Sequence, residues 1–162
     1  MKVIDKELLD RLSSEALDSE RKRSHYNLHA SLEEDIHRLC IAAEPGTYVK
    51  PHRHLEGDKW ELMVILRGHV SILNYDDNGK VISRVELQAG GASTAVEIAA
   101  DSWHNFVVMK SGSVVMEVKR GPYQRPSAAD FASWAPDEGE KESAFFCKWF
   151  EHCVEGSLPA EV

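Results

Sequence analysis

The feature that most constrains this fold is a succession of about eight short apolar runs between residues 36 and 119, each closed by a turn signal. The runs cover residues 36–43, 48–54, 60–66, 69–75, 81–87, 95–98, 104–109 and 114–119. Pro45-Gly46, Arg67-Gly68, Asn78-Gly79, Gly90-Gly91 and Ser111-Gly112 punctuate them. Asn-Gly in particular supplies the positive φ of a tight hairpin. Runs this short and evenly spaced predict a β-sandwich or small barrel. Residues 60–66 are apolar on both faces, so one face lines the interior. The other needs cover from a terminal helix or a second subunit, and this predicts a homodimer.

The flanks read differently. Residues 5–18 carry Leu8, Leu9, Leu12, Ala16 and Leu17 at helical spacing behind Asp5, a good N-cap. Residues 24–32 have no period and read as a crossing loop. After Gly121-Pro122-Tyr123, Ser127 and Asp130 resemble a capping box that opens a short helix towards Trp134. A last amphipathic helix is expected over 141–154, with Phe145, Phe146, Trp149 and Phe150 buried. The division is therefore 1–35 (helix and crossing loop), 36–123 (β-domain) and 124–162 (helical extension packed on it).

Composition narrows the partners. With 19 Lys and Arg against 27 Asp and Glu, the net charge is −8, which argues against nucleic acid or an anionic membrane. Three cysteines at unrelated spacings read as reduced thiols. Cys147 and Cys153 on one helix would be separated by about 9 Å along its axis, too far for a disulfide. No run approaches membrane-spanning length and the first residues have no signal core, so a cytoplasmic protein is expected.

Chemistry concentrates at His52 and His54, which on a strand would aim both imidazoles at one point. Glu61 opens the next run and His104 a later one. Three imidazoles and one carboxylate suit one divalent transition metal, with Fe, Zn, Mn and Ni all open. Asp58 is a rival carboxylate, but lies in the loop. Tyr48 and Lys50 share parity with His52 and His54, so an unbroken strand would bring both to the metal face; a bulge at Pro51 would turn them away. Lys50 would there hold an anionic group. His29 is a further pocket candidate, whereas His25, His37, His69 and His152 read as surface or turn histidines.

The spacing of Gly46, His52-x-His54, Glu61 and Gly68 resembles the first cupin motif. The second motif survives only as His104, within Ala99-Ala100-Asp101-Ser102-Trp103-His104. Further stretches resemble the WbuC family of cupin-fold metalloproteins: Tyr26-Asn27-Leu28-His29, residues 44–54, Lys59-Trp60-Glu61, and residues 117–123. The resemblance implies a mainly β, cupin-type double-stranded β-helix (a jelly-roll barrel) with an N-terminal helix and C-terminal helices. It also implies a role with a small sugar, or an anionic sugar derivative, in surface polysaccharide (O-antigen) metabolism. The chemistry stays open between a metal-dependent isomerase, epimerase or oxygenase, a non-catalytic metal-dependent binding or regulatory module, and a structural zinc domain.

Overall fold

The computed structural model describes residues 1–55 and 57–159. Helix α1 (Lys6–Asp18) is followed by strands β1 (Arg23–Asn27), β2 (Ile36–Ala43), β3 (Glu61–Arg67), β4 (His69–Tyr75), β5 (Val81–Gln88), β6 (Ala95–Ile98), β7 (Trp103–Val108) and β8 (Ser113–Arg120). Helix α2 (Ser143–His152) comes last. The strands form two antiparallel sheets, in the orders β1-β2-β8-β3-β6 and β5-β4-β7. Alternation explains how they meet. Met63 and Ile65 of β3 and Val70 and Ile72 of β4 point between the sheets, with Ile41, Leu87, Val108 and Val115 completing the inner core.

Each outer face carries a helix. Asp5 caps α1 by accepting the Leu8 N–H at 2.9 Å. The fully buried Leu12 and Ala16 of this helix then pack on Cys40, Ala42 and Val114 of the five-stranded sheet. Leu66 joins that cluster, so α1 supplies part of the cover that β3 needs, while Leu62 and Val64 stay half-buried. On the other side, Phe146 and Phe150 of α2 pack on Leu73, Tyr75 and Val107 of the three-stranded sheet. The layers therefore run helix, sheet, sheet, helix.

Several expectations change. Residues 24–32 are not all loop: Arg23–Asn27 forms β1, whose register on β2 runs from Arg23↔Ala43 to Asn27↔Leu39. Its polar sequence hides the strand, because backbone pairing and cover from α1 make it. Residues 48–54, expected as a strand, are irregular apart from bridges at His52. Pro51 has no N–H to continue a ladder. The helix after Ser127 is a single 3₁₀ turn, Ala128–Asp130, and α2 is shorter than 141–154 with Phe145 exposed. Residues 160–162 of the expected extension lie outside the described residues.

Gly68 makes the β3–β4 turn at φ 81°, and a Cβ there would lie 2.8 Å from the Ser113 Cα. Both the left-handed backbone and the close approach demand glycine. Gly68→Ala should therefore lower stability by about 1–3 kcal/mol in chemical denaturation; an unchanged midpoint would contradict this account of the turn.

Candidate metal centre

His52, His54, Glu61 and His104 converge, with one ligand-type atom from each within 4.8 Å of the others. Separate elements deliver them. Glu61 is the first residue of β3 and faces inward beside Ile98 and Lys119. His104 is on β7. His52 is not on a strand, yet its N–H donates to the His104 carbonyl and its carbonyl accepts the His104 N–H, both at 2.9 Å. This reciprocal pair sets the two imidazoles side by side, with ring centroids 4.5 Å apart. From the opposite flank, the Arg53 N–H donates to the Asp130 carbonyl and the Ala132 N–H to the Pro51 carbonyl, both at 2.9 Å. The chain beyond β8 thus holds the His-x-His segment in place.

The donors are oriented for an ion. His52 Nδ1–H donates to the Lys50 carbonyl at 3.1 Å and His104 Nδ1–H to the Ser102 carbonyl at 2.8 Å. That choice of tautomer leaves each Nε2 for coordination. Glu61 is buried and accepts from His54 Nε2 at 2.8 Å and from His104 Nε2 at 3.0 Å. Ligand atoms at about 2.1 Å from one ion lie at most about 4.2 Å apart, so this set fits after small inward shifts.

Electrostatics agree with that fit. Burial, reinforced by His104, pushes the His52 imidazole down to about 3, so it stays a neutral donor. Burial would also lower His104, but the Glu61 carboxylate outweighs it and raises this imidazole above its ordinary value. Glu61 is opposed by burial, yet its hydrogen bonds from His104 and His54 and the nearby Lys119 hold it well below the usual range. The hydrogen bonds from His54 and His104 thus bring both imidazoles to the two oxygens of Glu61, where an ion would join the three side chains.

Two residues complete the surroundings. Lys119 Nζ lies 3.1 Å from Glu61 Oε1 and 2.6 Å from Glu117 Oε1. Glu117 is buried and lines an interior cavity of about 40 Å³ with His52, Glu61, His104, Asn105 and Phe106. Burial, and then the Glu61 charge, raises its carboxyl above the ordinary range. Both residues escaped the sequence reading. Their parity with the inward-facing Val115 was the available signal.

The other expected residues divide. Lys50 lines a groove of about 600 Å³ with His52 and His54, its ammonium 2.7 Å from Asp137 Oδ1. Tyr48 instead joins the cluster under α2, its hydroxyl donating to the Pro136 carbonyl at 2.7 Å. His29 is buried and stacks at 4.2 Å on His37, which lines an opening beside His54 and Glu61. His37 is therefore no surface histidine, because this stacking buries it. His69 also has a partner, Glu86, at 2.6 Å. Asp58 is exposed and reaches Arg120 at 3.4 Å.

Residues 4–87, just over half of the chain, match a family model described as "Domain of unknown function (DUF6016)". The chain belongs to this family. The DUF6016 match covers His52, His54 and Glu61 but ends before His104, Glu117 and Lys119. No curated protein sequence matches. Among solved structures, the chain is similar to a conserved protein of unknown function from Streptococcus pyogenes. That pair has 14% identity and a TM-score of 0.52, covering 76% of this chain and 90% of the other. It is also similar to a cupin superfamily protein from Desulfitobacterium hafniense DCB-2. Here identity is 15% and the TM-score 0.50, covering 67% of this chain and 86% of that one. The fold of this DUF6016 protein is thus that of the cupins, built as two facing sheets.

The shifts set a pH dependence. His52 titrates near 6.5 when unfolded and at about 3 when folded, so the unfolded chain binds more protons between those values. His104 has the opposite sign, and its contribution is lost as pH rises through its raised value. The metal-free protein should therefore lose melting temperature as pH falls from about 6.5 to about 3, and also decline on the alkaline side of His104. A flat melting profile across the acid range would refute the buried, neutral His52.

Proposed function

We propose that this protein holds one divalent transition metal on His52, His54, Glu61 and His104 and uses it on a small oxygenated, sugar-like molecule. The observation that carries the reading is the convergence of three imidazoles and one carboxylate within 4.8 Å. On iron, manganese or nickel such a set leaves coordination positions for a ligand, and zinc is accepted too. The bound ion would supply Lewis acidity to a hydroxyl or carbonyl. The chain would supply the rest. Lys119 holds Glu61 and Glu117 in place, and Met63, Ile72 and Phe106 form the apolar side of the interior cavity. Glu117, whose carboxyl burial raises above the ordinary range, would be the group beside the cluster placed to exchange a proton with a bound hydroxyl.

Access favours this reading over a structural zinc site. His52 and His54 line the outer groove as well as contributing to the cluster, so the centre opens to solvent. A structural zinc needs no such route for a ligand to reach its ion. The sugar assignment, and with it surface polysaccharide metabolism in the cytoplasm, rests on the resemblance to the WbuC family. A homodimer fits the half-buried strip formed by Leu62 and Val64 on β3. No helix among the described residues is long and apolar enough to cross a membrane.

Elemental analysis of protein purified without added metal should give close to one transition metal per chain. His54→Ala and Glu61→Gln should each weaken metal affinity by at least about tenfold, the scale seen for losing even an orienting partner, and so lower that occupancy. Glu117→Gln should keep it. Full occupancy in both ligand variants would remove the assignment.

A further inference from the structure

Lys119 stands at the junction of two surface openings. One is the groove past His52 and His54, to which Arg23, Lys50 and Arg53 also contribute. The other opens beside His54 and Glu61 and gathers Lys59, Arg120 and Arg125. Cations outnumber carboxylates in both linings, although the whole chain carries a net charge of −8. Local excess of one sign in a cleft concentrates ligands of the other. Lys50 is paired at the rim with Asp137, Arg23 with Glu138, Arg53 with Asp101 and Arg120 with Asp58. Lys119 is different, because its partners are the buried Glu61 and Glu117.

The charge balance of this inner group is informative. Ionised Glu61 and Glu117 with the Lys119 ammonium carry a net single negative charge. A divalent cation on the four ligands would leave the group positive while its imidazoles are neutral. A cleft that holds such an excess of positive charge draws an anion to it. Lys119 is paired with both carboxylates, its side chain is 28% exposed and it lines both openings, so it can meet a ligand arriving by either one.

We propose that this site is built for an oxyanion, with Lys119 as its anchor and a small carboxylate- or phosphate-bearing molecule as substrate. The proposal rests on the metal-centre reading and adds the substrate class and the residue that selects it. The carboxylate or phosphate would lie between Lys119 and the ion-binding cluster. Lys50 and Arg23 would form the outer rim of the groove.

The test is calorimetric titration of the metal-loaded full chain with inorganic phosphate, malonate and glucose. Phosphate or malonate should bind saturably and glucose should not; whichever anion binds tighter assigns the substrate to phosphates or carboxylates. Lys119→Met should weaken the preferred anion by about tenfold or more, Lys119→Arg should largely retain it, and Lys80→Met in the exposed β4–β5 turn should leave it unchanged. Because Lys119→Met strands two buried carboxylates, Lys119→Met combined with Glu117→Gln is titrated beside it, with a melting curve for each. Folded Lys119 variants that bind as wild type, or a loaded chain indifferent to both anions, would overturn the proposal. Metal content measured first separates the two readings. A chain that takes up no metal sinks the metal centre and this proposal together, whereas a loaded chain that ignores the anions sinks this one alone.

Discussion

The reciprocal backbone pair between His52 and His104 is the interaction on which this site depends. The two histidines are far apart in sequence, and His52 belongs to no regular strand. Without the two hydrogen bonds to β7, nothing in the sheets would fix its imidazole relative to His104. The segment is then closed from the other side by the Arg53–Asp130 and Pro51–Ala132 bonds. Two ladders of minimal length thus do what a longer strand does elsewhere. Pro51 explains the economy, because it cannot donate and so ends any ladder at that point.

A second constraint is electrostatic. The inner cluster gathers imidazoles, two carboxylates and an ammonium where little water reaches them. Such groups are tolerable only when each one's charge is answered by another's. Glu61 accepts hydrogen bonds from His54, His104 and the Lys119 ammonium, which makes it the hub of the arrangement. An ion entering the cluster replaces protons on imidazole, so metal affinity and acidity compete for the same lone pairs.

Much of this was legible in the sequence, and the reasons for the remainder are specific. Strong alternation and turn pairs located β2 and β4 through β8 closely, because their inner faces are apolar and their ends are marked by glycine. β1 was invisible, since its residues Arg23–Asn27 are polar and only its edge position on β2 makes it a strand. The four candidate ligands were found by spacing, and the structure brings them together. Tyr48 failed as a pocket residue because parity holds only along an unbroken strand, and the chain there is irregular. Glu117 and Lys119 were missed for the opposite reason. They sit on a regular strand, where parity turns them inward, and within the stretch 117–123 that carries the family resemblance, but that resemblance assigned them no role in the site.

The place of the chain after β8 carries a consequence for how such proteins diversify. Residues 130–132 bond the backbone on either side of His52, while Tyr48, just upstream, is anchored on Pro136 and packs against Phe150. The tail is therefore a wall of the candidate metal site rather than an appendix to finished sheets. Recombination that exchanged tails between relatives would also have to exchange the loop they embrace, so the two segments are expected to be inherited as a pair.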